Sequence, residues 1–259
     1  MSKHLSLLLS VALLLSCNAV DDSSIERLPT LRVMSYNIHH GEGMDGNIDL
    51  ERIAGVISRE NPDLVALQEV DRFCTRSGNR DMAAELGELL GMEHVFGKAM
   101  DFQGGEYGLA VLSKLPIMET RVHELPEGDE PRRALEVRVR IGSLPKQVSF
   151  ISIHNSWNGE DVRVKQIEEL LRSLGEFDHP AILAGDFNAR RGNDSMMLLL
   201  RSDWEILDIK LEKGAFPSEH DSQIDFFVIR NLPQASVESR VIDETIASDH
   251  RPIFSEIVF

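Results

Sequence analysis

The chain has 259 residues and a formal net charge of −16, enough for one large core or two small domains. A field of that sign repels polyanions at long range and argues against tight non-specific nucleic-acid binding. Phosphate chemistry stays open, because carboxylates that hold metal ions belong to the negative count.

The N-terminus reads as a targeting segment. Lys3 and His4 precede an apolar run from Leu5 to Leu15, too short for a bilayer span of about 20 residues but suited to a signal-peptide core. Leu14-Leu15-Ser16-Cys17 is similar to a bacterial lipobox, which implies lipidation of Cys17; plain secretory cleavage is the alternative. The expected organisation is a signal peptide over 1–17, a polar tether over 18–30 and one domain over 31–259. That places the protein outside the cytoplasm, lipid-anchored in a bacterial envelope membrane or otherwise secreted. Of the two cysteines only Cys74 then remains, so no internal disulfide forms.

Leu31 to Tyr36 alternates with a period near two and predicts the first strand. Asp49 is placed to cap a helix carrying Ile53, Val56 and Ile57 on one face, ending before Pro62. Leu64 to Leu67 reads as a buried strand. A second helix is expected from near Asn79, with Met82, Leu86, Leu89 and Leu90 inward and Gly91 as its stop. Strands are expected at 107–113, 134–141 and 148–153. A helix from Asp161 follows, with Ile167, Leu170, Leu171 and Leu174 as its core stripe and Gly175 closing it. Strands at Ala181, 224–229 and 252–258 complete the pattern. Strands outnumber helices and several neighbours are placed as hairpins, so two packed sheets with helices outside suit the chain better than a simple parallel sheet.

Two segments carry most of the chemical signal. Gly185-Asp186-Phe187-Asn188 follows the apolar run Ala181 to Ala184, and Ser248-Asp249-His250 precedes the strand start at Pro252. Asn37 and Glu69 close the first two strands. Each alone reads more simply as a turn or rim residue. Together, acids and amides converging at strand ends repel one another or stay unsatisfied without a cation. Oxygen-rich ligation of this kind suits Mg²⁺, or Mn²⁺, rather than zinc, and the Asp-His pair suits a general acid or base.

Asn37, Gln68-Glu69, His154, Gly185-Asp186-Phe187-Asn188, Ile224-Asp225 and Ser248-Asp249-His250 occur in an order that resembles the endonuclease/exonuclease/phosphatase superfamily, the phosphoesterases related to DNase I, exonuclease III and sphingomyelinase. The resemblance runs from about Leu31 to Phe259. It implies an α/β (α+β) four-layer α/β/β/α sandwich, two mixed β-sheets packed face to face with helices outside. It also implies metal-dependent hydrolysis of a phosphate ester by in-line attack of water.

Carried over by position, the resemblance makes Glu69 the main metal carboxylate, with Asn37 and Asp249 nearby. Asp186 would orient or deprotonate the attacking water, and Asn188 would hold it or a phosphoryl oxygen. His250 would act as acid/base or hold a phosphoryl oxygen, with Asp225 fixing its tautomer. His154 matches the family's second histidine. Tyr107 is a candidate to hydrogen-bond it or the phosphate, or simply opens a core strand. Leu109 stands where relatives often carry Asn. His39, followed by His40, stands where many carry Asp; this pair faces a substrate group, assists a second metal or simply caps the strand. Arg163 and Gln166 match the family's Arg-x-x-Gln and brace a loop or form a solvated helix face. Arg132 and Arg133 meet phosphate or, on the simpler reading, are surface charge. Gly41-Glu42-Gly43-Met44-Asp45-Gly46 fits GxGxxG, but the expected helix starts only after Asp49, so a dinucleotide site is not supported.

The expected activity is that of an exported metal-dependent phosphoesterase acting on a phosphodiester or phosphomonoester. No Lys/Arg run or aromatic-basic interleaving marks a nucleic-acid groove, which favours a small or lipid-linked phosphate over DNA. A Mg²⁺-dependent nuclease is the alternative within the class, and a non-catalytic surface binding module is the alternative outside it.

Overall fold

The computed structural model describes residues 29–142, 147–175, 178–210, 222–232, 234 and 236–259. The expected leader, Cys17 and nearly all of the tether lie outside the described residues. The chain opens with β1 (Thr30–Asn37), crosses through α1 (Leu50–Glu60) and returns as β2 (Leu64–Arg72). Then come α2 (Met82–Leu90), β3 (Glu93–Phe102), β4 (Gly105–Ser113), β5 (Ile117–Glu124), β6 (Arg133–Val139) and β7 (Val148–His154). A second crossover, α3 (Glu160–Leu174), leads to β8 (Ala181–Asp186). The chain continues through α4 (Asp194–Arg201), β9 (Glu205–Ile206), β10 (Asp225–Arg230), β11 (Ser236–Val241) and β12 (Ile253–Val258).

The strands form two six-stranded sheets, ordered β11-β12-β1-β2-β4-β3 and β5-β6-β7-β8-β10-β9. Each is mixed: β1 and β2 run parallel in the first, β7 and β8 in the second, and all other pairs are antiparallel. A parallel pair needs a crossover long enough to return the chain, and α1 and α3 provide it.

Period-two alternation decides the layering. Val33, Leu64, Ala66 and Val111 of the first sheet meet Val137, Phe150, Ile182 and Phe227 of the second in one apolar core between the sheets. The opposite face of the first sheet, with Met34, Val65 and Leu67, packs on Ile53, Ile57, Met82 and Leu86 of α1 and α2. The opposite face of the second, with Ile151 and Leu183, packs on Ile167, Leu170, Met196 and Leu199 of α3 and α4. The result is the expected α/β/β/α sandwich.

Sequence and structure differ at the margins. The Asp49 side chain accepts from Arg52 N at 2.8 Å as an N-cap. The second helix begins at Met82 rather than near Asn79, because Asp81 is its cap and accepts from Ala84 N at 3.1 Å. Leu89, expected inward, is exposed. The strands β3, β5, β9 and β11 and the helix α4 were not anticipated; those four strands are the edges of the two sheets.

Gly185 permits the close approach of β8 to β7. It pairs with Ile153, and a Cβ there would lie 1.9 Å from the Ile153 carbonyl oxygen. Gly185→Ala is therefore expected to destabilise the fold by about 1–3 kcal/mol through overpacking. In a urea titration the midpoint should fall with the slope unchanged; an unaltered midpoint would show that the strands need no such approach.

Candidate active site

Ligands of α/β sheets gather at the carboxyl ends of parallel strands, and both parallel pairs place polar residues there. Asn37 ends β1 beside Gln68 of β2, and His154 ends β7 beside Asp186 of β8. Gln68 is buried between the sheets, where its Nε2 donates to Ser152 Oγ of β7 at 3.1 Å. The two strand-end sets are thereby tied to each other.

Glu69 reaches this point through a bulge. Leu67 and Val70 pair with Ala110 and Gly108, so Gln68 and Glu69 stand against Leu109 alone. An extra residue bends the strand and re-aims its side chains, and Glu69 takes a left-handed φ of 57°. Leu109, where the resemblance implies Asn, fills the core between the sheets.

The centre of the cluster is the Asp186 carboxylate, 2% exposed. Asn37 Nδ2 donates to Asp186 Oδ2 at 3.3 Å and to Glu69 Oε1 at 3.1 Å, joining the two sheets. Asn37 Oδ1 accepts from His39 N at 3.1 Å. Asp186 Oδ1 accepts from Asn188 N at 2.8 Å, with Asn188 held at a left-handed φ of 50°. The ring nitrogens His154 Nε2 and His250 Nε2 lie 3.5 and 3.6 Å from Asp186 Oδ2. His250 Nδ1 donates to Asp225 Oδ2 at 3.0 Å. Ser248 clasps this loop to β1, donating to the Asn37 carbonyl at 2.7 Å and accepting from His250 N at 3.2 Å.

Burial and charge set these groups apart. Burial, with the Asp225 charge, raises Asp186 above the usual carboxylate range. Burial would lower His250, but Asp225 and Asp186 outweigh it and raise the imidazole to about 10. Burial, then Arg132 and His250, push His154 well below the imidazole range. One carboxylate thus faces a charged and a neutral imidazole, a separation of the kind that assigns acid and base roles.

Glu69, Tyr107, His154, Asp186, Asn188 and His250 line a cavity of about 580 Å³. Arg132 joins them and corrects the surface-charge reading: it is only 4% exposed, bonded through Nη2 to Glu130 at 3.1 Å, and its Nε has no hydrogen-bond partner. Arg133 points elsewhere and pairs with Glu124. Gln166 is buried in a loop brace, accepting from Asn155 Nδ2 and Ser156 N and donating to the Pro126 carbonyl. Arg163 donates to the Ser156 and Trp157 carbonyls of the same loop.

Other cavity groups carried no signal in the sequence. Trp157 is 62% exposed at the wall, beside Met100, Phe102, Asp129 and Glu130. Arg76 lies over the Phe102 ring at 4.6 Å, held by Asp71. Asn155 supplies the carbonyl that anchors Asn188 Nδ2 at 3.1 Å.

The donor set fits a divalent cation. The carboxylates of Glu69 and Asp186 converge on one amide nitrogen from opposite sheets, a concentration of negative charge that an amide dipole offsets only weakly. Asp186, Asp225 and His250 form one buried cluster with metal-ligand spacing, and His39, His40 and Glu69 form a second; Asp249 belongs to neither.

The sequence profile of the endonuclease/exonuclease/phosphatase family matches residues 34–250. The chain belongs to that family. Its members are hydrolases of phosphate esters. No curated protein matches the chain by sequence. Among solved structures, a family protein from Beutenbergia cavernae is similar over 89% of this chain and 72% of its own, at 22% identity and a TM-score of 0.72. A mannosyl-6-phosphatase of Bacteroides thetaiotaomicron is similar over 88% and 100%, at 22% and 0.70. Sphingomyelinase C from Streptomyces griseocarneus is similar over 88% and 99%, at 17% and 0.68.

The charge state of His250 in the metal-free protein is open to direct test. Its folded-state value lies above the ordinary one, so this ion pair stabilises fully below about pH 6.5 and its contribution is lost as pH rises through about 10. Asp225→Asn removes the hydrogen-bonded partner and leaves burial opposed mainly by Asp186, which should lower the His250 titration, followed by NMR, from about 10. An unchanged value would contradict the assigned cause.

Proposed function

We propose that the protein is an exported, metal-dependent phosphoesterase that hydrolyses a small or lipid-linked phosphate ester. The observation that carries this reading is the Asp186 carboxylate facing one charged and one neutral imidazole, within a cavity that also holds Glu69 and Asn188. A pure binding module has no need of that set.

Glu69 would hold the cation, Mg²⁺ or Mn²⁺, with Asn37 and Asp249 as further ligand candidates, and a cation bound there would supply stabilisation of charge on the phosphoryl oxygens. Asp186, raised by burial, accepts the proton of the attacking water as the new O–P bond forms. Asn188, fixed by its bonds to Asp186 and Asn155, holds that water or a phosphoryl oxygen. Charged His250 protonates the leaving oxygen as the ester P–O bond breaks, and Asp225 keeps its ring oriented. Neutral His154, Tyr107 and Arg132 contact the remaining phosphoryl oxygens.

The substrate class follows from the rest of the cavity. Asp129 and Glu130 face any chain of phosphates entering the site, and the net charge of −16 adds to that repulsion. Trp157, Phe102 and Met100 give an apolar or stacking surface for the group esterified to phosphate. A mannosyl-6-phosphatase and a sphingomyelinase among the structural neighbours show that the fold can serve such substrates. The leader pattern and Cys17 support export and a lipid anchor, which would hold the domain at a membrane.

The test is turnover of a sugar phosphate, a sphingolipid phosphodiester and a DNA oligonucleotide with Mg²⁺, Mn²⁺ or EDTA. Hydrolysis of one of the first two, abolished by EDTA, is expected. His250→Ala and Asp186→Asn should each lower it by about 10²–10⁴-fold, the range of acid–base catalysis. Near-normal activity in either variant would overturn the mechanism, and preference for DNA would overturn the substrate class.

A further inference from the structure

His39 and His40 follow β1 in two consecutive left-handed conformations, φ 46° and 45°. Sterics disfavour that region for residues other than glycine, and each such position costs about 1–3 kcal/mol. One residue, Glu42, holds both rings. His39 Nδ1 lies 3.2 Å from the Glu42 carbonyl, and His40 Nε2 lies 3.2 Å from the Glu42 carboxylate.

A carbonyl and a carboxylate oxygen only accept, so each imidazole gives its N–H to Glu42. In the neutral ring the opposite nitrogen, Nε2 of His39 and Nδ1 of His40, then carries a lone pair. His40 has a side chain only 9% exposed, and its Nδ1 is buried with no hydrogen-bond partner. Leaving such an atom unsatisfied costs about 1–3 kcal/mol, and a strand cap would gain nothing from it. The rings meet edge to face at 4.4 Å between centroids. One ligand atom from each of His39, His40 and Glu69 lies within 4.8 Å of the other two. Clamping of the far ring nitrogen by a carbonyl or carboxylate is how proteins fix a metal-ligating histidine. Arg76, the neighbouring positive charge, is committed to Asp71 through two bonds of 2.8 Å.

We propose that His39, His40 and Glu69 form a cation site with two imidazoles and one carboxylate, selective for Mn²⁺-type ions over Mg²⁺. Imidazole suits first-row transition ions, whereas Mg²⁺ is held by oxygen ligands. The proposal rests on the reading that Glu69 holds the catalytic cation, and it makes this loop the determinant of which ion is used.

The test is electron paramagnetic resonance of the full chain loaded with Mn²⁺, together with competitive titration against Mg²⁺. Coupling of the ion to imidazole ¹⁴N is expected, with Mn²⁺ bound at least about tenfold tighter than Mg²⁺. His40→Ala should lose the ¹⁴N signal of that ligand and at least about 10–100-fold of Mn²⁺ affinity, the range for losing only a ligand's supporting partner, while changing Mg²⁺ binding little. His39→Asp should shift preference toward Mg²⁺. The spectrum of the unsubstituted protein decides the matter even where a variant fails to fold. Absence of Mn²⁺ binding, or bound Mn²⁺ without ¹⁴N coupling, overturns the proposal. Metal-dependent hydrolysis without ¹⁴N coupling would sink this inference alone. Coupling without hydrolysis would instead sink the phosphoesterase reading and leave the site.

Discussion

Burying the Asp186 carboxylate between two sheets obliges the fold to supply its partners, and most of the site follows from that constraint. An unpaired carboxylate in a low-dielectric interior either takes up a proton or recruits donors. Asn37 comes from the first sheet, His154 from the neighbouring strand of the second, and His250 from the loop before β12. The backbone of Asn188 supplies a fourth contact. Because the partners arrive from both sheets, the sandwich must hold its register before the cluster exists. Gln68 to Ser152 provides that registration across the sheets, and Ser248 to the Asn37 carbonyl fixes the His250 loop on β1.

Around this hub the backbone departs from regular geometry wherever a side chain must be aimed. Glu69 sits in a bulge with positive φ, Asn188 turns left-handed after β8, and His39 and His40 do so in succession after β1. Such strain persists only where surroundings over-determine it. Here they do: Asn37 holds Glu69, Asn155 holds Asn188, and Glu42 holds both histidines. The rigid interior of the sandwich absorbs the cost, and the strand ends carry the candidate site.

Much of this was legible in the sequence, for a physical reason. The central strands are apolar on both faces, so 64–67, 148–153 and 181–184 stand out as buried runs, and short polar motifs at their ends mark the site. The edge strands β3, β5, β9 and β11 are half solvated and lack such runs, so period alone did not reveal them. The bulge at Glu69 was equally hidden, since it arises from pairing with β4 rather than from local composition. Arg132 read as surface charge because nothing in Pro131-Arg132-Arg133 tells a buried guanidinium from an exposed one. Trp157 and Asp129 gave no signal because they reach the cavity only through the loops around it.

The most direct test of the account is a crystal structure with Mg²⁺ or Mn²⁺ and orthovanadate, a mimic of phosphoryl transfer. The account predicts the anion in the cavity, within hydrogen-bond reach of Asn188, His154 and His250, with the cation against Glu69. An anion bound elsewhere, or an empty cavity with Asp186 and its partners undisturbed, would contradict it.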